Sequence, residues 1–575
     1  MEVKESQVDG FHEDSAEFSN RLSYFHSIGK NSLLYRTIGQ QLSIAANEDP
    51  DREAFVFFEE NIRFTYGELL EKADCLAAGF QCLGLEKGDR VAILAPNVSM
   101  WPIVFYSAAR AGLILVSLNP TFNSQKIAEW LNKVKAKVLV ASEQFGSEYN
   151  YYEKLLETMP ELRTSHGGKI QSKAIPSLST IIIDSEKNYT GTLRLKDVMT
   201  LPRISQIQNI EEQQKDISPD SGYNIQFTSG FTGPPKAVLV SHFGDINNAI
   251  SFGERCEVNS ARMCMPVPFF HIYAITISLA ALCNQGTVVV PSFIFNPEKT
   301  LQAIWKERCS IIFSMPKFYI ELIAKQRELK LDINLKIGVS GGSMCSPELF
   351  YETKKELGLE KFKMALGMTE SRVSFAFVPD EVEKEKLDTV GYVLDNTEVK
   401  VTDGEGKMVP FGTPGELCVR GYQTMIGYWE DEEKTRKVLG SDGWIRTGDF
   451  VVLESNGYGK IIGRISDLIT KGSERIFPKD IEILLGKHPS IAEVYIVGVP
   501  DEHLGEELCA FIGLRDEFEA ISSQDIYKYC QGKIAQSHIP RHVQLVKDFP
   551  KTVSGKVIKS DLREQFLRNR ENLDF

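Results

Sequence analysis

The stretch Arg90-VAILAPNVSMWPIVFYSAARAGLILVSL-Asn119 reads as strand, helix, strand, and it decides the fold class. Its outer runs are continuously apolar rather than alternating, the pattern of strands covered on both faces. The segment from Ser99 to Gly112 has the length of a helix and closes on a glycine stop. Parallel strands need a crossover of about a dozen residues or more, and a helix supplies it. The same texture returns in Ala136-KVLVAS, Ser179-TIIIDS, Gly286-TVVVPS and Lys336-IGVSGG. The reading is an α/β protein with sheets buried under crossover helices.

The chain has 575 residues, 42% of them apolar and 25% charged, enough for large cores and for more than one domain. Lys and Arg total 65 against 78 Asp and Glu, a formal charge of −13, which disfavours a nucleic-acid partner because such proteins carry a basic footprint. The 10 cysteines are scattered without paired spacing, so reduced and mostly buried thiols are expected rather than zinc or a disulfide framework. The first twenty residues hold six acids and one base, with no apolar run after them, which gives an acidic N-terminal tail over 1–21 and a cytoplasmic default. The uncharged run from Phe269 to Cys283 is too short to span a bilayer and reads as a buried helix, leaving peripheral membrane contact open.

After about residue 400 the texture changes. Turns such as Asp403-GEGK, Phe411-GTPGE and Ser441-DGW break up shorter runs, predicting a β-rich antiparallel portion. Then Pro478-KDIEILLGKHPSIAEVYIVGVPD reads helix, turn, strand, and a helix from about Ser560 closes the chain. A small second unit therefore begins near Arg464. The polar segments 206–221 and 379–388 read as solvated connections.

The segment Phe227-TSGFTGPPK-Ala237 packs glycines and hydroxyls between two apolar runs. Glycine removes the Cβ obstacle, so backbone amides can form an anion nest, and Lys236 adds a positive charge. It is not a Walker loop, because Pro235 precedes the lysine and Ala237 follows it. Taken alone it reads more readily as an ordinary turn than as a phosphate site.

Four further blocks in order change that. The loop resembles the phosphate signature of adenylate-forming enzymes, the superfamily of acyl-CoA synthetases, 4-coumarate-CoA ligases and beetle luciferases. Phe270-HIY-Ala274 looks like its pocket-histidine segment, and Ser340-GGS-Met344 with Gly367-MT-Glu370 looks like its adenine and magnesium segments. Arg446-TG-Asp449 with Gly463-RIS-Asp467 resembles the ribose site and hinge, and Pro550-KTVSG-Lys556 resembles the catalytic-lysine motif. Through Val419-RGYQTMIGY-Trp429 and Glu506-ELCAF-Ile512 the chain looks most like the medium-chain acyl-CoA ligase branch.

The resemblance implies the adenylate-forming fold: an AMP- and acyl-binding domain over 22–463, a hinge at 464–467 and a mobile α+β domain over 468–575 carrying the catalytic lysine. It implies a fatty acid–CoA ligase that joins a medium-chain or longer acid to AMP from ATP and then to coenzyme A. Thr228, Ser229, Gly230, Thr232, Gly233 and Lys236 would hold phosphates, and Gly341, Gly342 and Gly367 would border the nucleotide. Thr369 would meet the α-phosphate region, Glu370 would bind Mg²⁺, and Asp449 and Arg464 would take the ribose. Lys556 would bridge the α-phosphate and the acid, and His271 would wall the acyl and CoA passage. Relatives in the medium-chain branch are mitochondrial, an alternative to the cytoplasm.

Four residues depart from the family pattern: Phe231 for a hydroxyl, Ala237 for the loop's closing Gly, Leu366 for a Tyr against adenine, and Ser473 for a Gly near the pantetheine channel. They predict weakened turnover or thioester formation, with a silent nucleotide- or acyl-binding paralogue as the limiting case. A 4-coumarate-type or other small-acid ligase is the alternative within enzymes.

Overall fold

The computed structural model describes residues 21–145, 149–228, 236–342, 345–379, 389–472, 474–515, 517–518, 520–551 and 557–571. The acidic segment 1–20, Ser229, Gly230, Phe231, Thr232, Gly233, the polar stretch 380–388, Ser473 and Lys556 lie outside the described residues.

The opening stretch folds as its pattern dictates. Arg90–Leu94 and Ile114–Leu118 are parallel neighbours, joined by the helix Met100–Arg110, every residue of which is buried. Gly112, at φ +68°, makes the turn back into the sheet, a conformation glycine adopts without the Cβ penalty. Val138–Ser142 and Thr180–Asp184 extend the same sheet in parallel, and the hairpin of Gly222–Thr228 and Lys236–Ser241 continues it on the other side, eight strands in all. A second, nine-stranded sheet has a parallel centre that includes Thr287–Val290 and Ile337–Ser340. The two sheets share one core, into which Ile272–Cys283 inserts as a mostly buried helix of 12 residues. Among the described residues no helix is long and apolar enough to cross a membrane.

The β-rich portion is a five-stranded antiparallel sheet in which Tyr24–Ser27 joins Thr397–Thr402, Gly415–Gly421, Ile445–Leu453 and Gly459–Arg464. Residues from Ile469 onward build a further five-stranded sheet with Lys479–Gly486, Ser523–Cys530 and Lys559–Glu571, and with their own apolar clusters. This unit meets the rest through the Phe450–Phe477 stack, ring centroids 4.8 Å apart, and a Lys487–Glu348 ion pair at 3.1 Å.

One expectation fails in part. Much of 206–221 belongs to the helix Ile204–Gln213 and the short turn after it and not to an irregular connection, although most of the stretch is exposed as expected. Its few apolar residues are spaced by three, so Ile207 and the fully buried Ile210 share the face that meets Tyr66–Cys82. Its polar residues also have partners inside. Gln214 donates to the Arg110 carbonyl at 2.8 Å, and Glu211 accepts from Arg110 Nη2 at 2.7 Å.

Arg110 is the hub of that contact. Its guanidinium is 0% exposed and donates to both oxygens of Asp74, to Gly39 O at 2.9 Å and to Ser43 Oγ at 2.7 Å. It thus ties four helices together, and burial pushes the Asp74 carboxyl up despite its guanidinium neighbour. Removing one partner of a buried pair leaves a charge without compensation, which costs about 3–5 kcal/mol. Arg110→Met is therefore expected to lower the first urea unfolding transition by that amount, and Arg110→Met combined with Asp74→Leu should recover much of it. An unchanged midpoint for Arg110→Met would remove this hub from the account of the fold.

Candidate active site

Thr228 and Lys236 are cross-strand partners at the loop end of their hairpin, so the two flanks of the phosphate loop stand side by side. The hairpin is fixed from below by Gln226, buried, which donates to Ser117 Oγ at 3.0 Å. Lys236 is half-buried. Its Nζ donates to Tyr428 Oη at 3.4 Å and lies 5.1 Å from the centre of that ring. Ala237 does not close a loop. It lies within the strand, 1% exposed, with its methyl in an apolar cluster and its carbonyl accepting from Trp429 N at 2.8 Å.

Thr369 and Glu370 occupy the turn between the antiparallel strands Lys361–Met368 and Arg372–Ala376. The turn is tight. A Cβ on Gly367 would stand 2.5 Å from the Arg372 carbonyl, so only glycine fits there, and Arg372 itself sits at φ +53°. The Arg372 side chain is buried. It donates to the Thr369 carbonyl and to Asp245 Oδ1, and Asp245 accepts from Tyr223 Oη through its other oxygen. Glu370 is 5% exposed; its carbonyl accepts from Met425 N at 2.8 Å and its carboxylate from Tyr428 Oη at 2.9 Å. Burial, then the Glu370 charge, hold the Tyr428 phenol far above its ordinary pKa, so it stays a donor. Lys236 and Glu370, distant in sequence and on different sheets, are thus joined through one hydroxyl.

Asp449 and Arg464 are also cross-strand partners, with Nε 2.9 Å from Oδ1. Gly448, at φ +70°, lets the strand turn so that Asp449 N reaches Thr447 Oγ1 at 3.1 Å. The Asp449 side chain is 5% exposed and Arg464 32%, which leaves the guanidinium partly open to solvent. The preceding Arg446 is paired with Glu416.

His271 caps the helix Ile272–Cys283, with Nδ1 accepting from Tyr273 N at 3.2 Å. The Tyr273 ring lies 3.5 Å from where a Cβ on Gly341 would be, so the pocket-histidine segment and the glycines after Ile337–Ser340 meet. Gly342 takes φ +81°. Leu366 is half-buried opposite Phe375 and packs against an apolar cluster.

The structure therefore joins Lys236 and Glu370 through Tyr428, with Thr228 beside Lys236 and Thr369 beside Glu370, pairs Asp449 with Arg464, and sets Tyr273, two residues after His271, against Gly341. Sequence reasoning missed Tyr428 and Arg372. Tyr428 lies inside the quoted stretch Val419–Trp429, but nothing local says that it reaches Glu370. Arg372 follows the Gly367–Glu370 motif directly, and an Arg two residues beyond a buried acid was the available signal.

Comparison with known proteins gives the family. Residues 42–429 match the family described as AMP-binding enzyme, and residues 480–556 match the AMP-binding enzyme C-terminal domain. The mitochondrial medium-chain acyl-CoA ligase ACSF2 of Danio rerio is 38% identical over 94% of this chain and 90% of that protein. The human protein of the same name is 35% identical over 95% and 90%. A putative acyl-CoA synthetase of Bacillus subtilis, YngI, is 34% identical over 93% and 97%. ATP-bound MatB from Rhodopseudomonas palustris shares the fold with a TM-score of 0.79 at 23% identity, over 92% of this chain and 99% of that one. With matches of this extent in both of its parts, the chain belongs to the AMP-binding enzyme family.

Proposed function

We propose that the protein is an AMP-forming acyl-CoA ligase acting on medium-chain or longer fatty acids. The observation that carries this reading is the convergence of Lys236, Tyr428 and Glu370 in a chain that matches the family across both parts. The names of its relatives support a medium-chain acid and the mitochondrial alternative for its location.

The reaction has two steps. A carboxylate oxygen of the acid attacks the α-phosphorus of ATP, and the bond to pyrophosphate breaks. The CoA thiolate then attacks the acyl carbon, and AMP leaves. In the first step negative charge collects where an anion meets a polyanion, so preorganised donors and cations matter most, one lost donor costing on the order of 3 kcal/mol. Thr228, Ser229, Gly230, Thr232, Gly233 and Lys236 supply them to the outer phosphates, and Thr369 to the α-phosphate. Gly341 and Gly342 border the nucleotide at the strand ends, and Gly367, which lets the turn carrying Thr369 and Glu370 close tightly, borders it from that side. Asp449, oriented by Arg464, accepts from the ribose hydroxyls.

Glu370 fits Mg²⁺: it is a hard oxygen donor already oriented by a hydroxyl, and this ion takes one or two carboxylates with phosphate oxygens and water. Bound there, Mg²⁺ would neutralise phosphate charge. His271, held at a helix start beside Tyr273, borders the acyl and CoA passage. The domains are 22–463 and 468–575, after an acidic tail over 1–21. Between them 464–467 serves as the hinge that brings Lys556 in for the first step and withdraws it for the second. The short turn Ile465–Asp467 lies where the antiparallel sheet ends and the small unit begins.

The primary test measures pyrophosphate release and acyl-CoA formation separately, over acids from hexanoate to palmitate and with 4-coumarate as competitor. ATP-dependent formation of both products from an aliphatic acid is expected. Nucleotide binding with neither product would establish a silent paralogue, and a loss confined to the second step that Ser473→Gly restores would place the defect at Ser473.

Two variants probe individual roles. Lys556→Ala should slow pyrophosphate release about 10²–10³-fold, as loss of a transition-state donor does, yet still convert supplied acyl-AMP and CoA to thioester. Equal loss in both reactions would argue against a role limited to adenylation. Asp449→Asn keeps shape but removes the charge that accepts from the ribose, and should raise the KM for ATP about 10–100-fold, the worth of a hydrogen bond to a charged group. An unchanged KM would separate Asp449 from the nucleotide.

A further inference from the structure

A phenol carries one proton. In Tyr428 that proton goes to Glu370 Oε1 at 2.9 Å, so the same oxygen meets Lys236 Nζ, at 3.4 Å, only as an acceptor. The direction of the chain is fixed: ammonium to phenol to carboxylate. Each bond polarises the next, and one carboxylate oxygen is held in place.

The backbone around Tyr428 reinforces the arrangement from both sides. Met425 N donates to the Glu370 carbonyl at 2.8 Å, so one short segment holds Glu370 by main chain and side chain. On the opposite side Ile426 N reaches Leu239 O at 3.0 Å and Trp429 N reaches Ala237 O at 2.8 Å, fastening that segment to the strand that begins with Lys236. Tyr428 N is tied to Thr435 Oγ1 at 2.9 Å, and the Tyr428 ring is 6% exposed. The main chain that carries the ring is thus fixed on both sides of Glu370 and Lys236.

We propose that Tyr428 is a positioning residue for adenylation: it orients the Glu370 carboxylate toward the divalent cation and holds Lys236 beside the phosphates' place. The inference rests on the adenylating reading of this site. Its consequence is specific. A hydroxyl that aims a metal-binding carboxylate governs how much metal the protein needs, and losing such an outer-shell partner typically costs 10–100-fold in metal affinity or activity.

The test compares wild type with Tyr428→Phe, which keeps the ring and its contact with Lys236 but lacks the hydroxyl, and with Glu370→Gln. Two readouts are taken on the full chain: Mn²⁺ binding in the presence of a non-hydrolysable ATP analogue, followed by the free-ion EPR signal, and the Mg²⁺ concentration for half-maximal pyrophosphate release. Tyr428→Phe should weaken Mn²⁺ binding about tenfold and raise the Mg²⁺ requirement by a similar factor, with a thermal midpoint near wild type. Adding Tyr428→Phe to Glu370→Gln should weaken Mn²⁺ binding no further, because the hydroxyl acts through that carboxylate.

Mn²⁺ binding unchanged in Tyr428→Phe would overturn the proposal, as would an equal further loss in the double variant. If Tyr428→Phe melts well below wild type, the additivity measured with Glu370→Gln still decides, because a merely structural loss would be additive. Failure of wild type to release pyrophosphate from any acid would instead overturn the adenylating reading, and the Mn²⁺ measurement would still judge Tyr428.

Discussion

The hydrogen bonds made by residues 425–429 hold an edge of the eight-stranded sheet to the Thr369–Glu370 turn of the nine-stranded one. A nucleotide triphosphate needs cations, hydroxyls and a carboxylate converging on one place, and here these sit on different sheets. Lys236 lies on the first and Glu370 on the second. Without a link, the separation would follow from packing of the common core, which tolerates small slippage of one layer on another. The backbone bonds from Ile426 and Trp429 to one strand, and from Met425 to the Glu370 turn, convert that soft degree of freedom into fixed hydrogen-bond geometry.

The Glu370 turn is prepared for this link. Gly367 allows a backbone approach that no side chain permits, and Arg372 accepts a left-handed conformation, uncommon for a residue with a side chain. Such strain persists when the surroundings over-determine it. They do so here, since the Arg372 guanidinium is 1% exposed and paired with a buried Asp245 that is itself hydrogen-bonded to Tyr223. The turn that presents Thr369 and Glu370 is thus anchored behind by a buried ion pair and in front by Tyr428.

The sequence exposed what is periodic or locally punctuated. The apolar runs at Arg90, Gly112, Ala136, Ser179, Gly286 and Lys336 all became strands with parallel neighbours, because continuous burial leaves a run of that kind few other places. The helix Ile204–Gln213 was hidden, because its apolar face is only Ile207 and Ile210 amid polar residues, and its contacts with Arg110 and Gln81 have no local signature. In the site, motifs displayed Lys236, Glu370, Asp449 and Arg464, but not how they relate. The Asp449–Arg464 pair depends on strand register, and Tyr428 reaches Glu370 across 58 positions of chain, information with no local signature.

Electrostatics then separates structural cations from those left to meet a substrate. The chain is acidic by 13 charges, so ATP and coenzyme A find no general attraction. Its buried cations are largely committed: Arg110 to Asp74, Arg372 to Asp245, Lys363 to Glu257 and Arg255 to Asp395. Among the described residues Lys236 is held differently, by a neutral phenol and its ring. A carboxylate partner would make an arriving phosphate compete with an existing ion pair, at a cost of several kcal/mol in a partly buried setting. A neutral phenol at 3.4 Å sets no ion pair against an incoming anion, which under the proposed reading leaves Lys236 able to turn to a phosphate. The same hydroxyl keeps Glu370 aimed, which gives the cation and the carboxylate a common reference point before any nucleotide is bound.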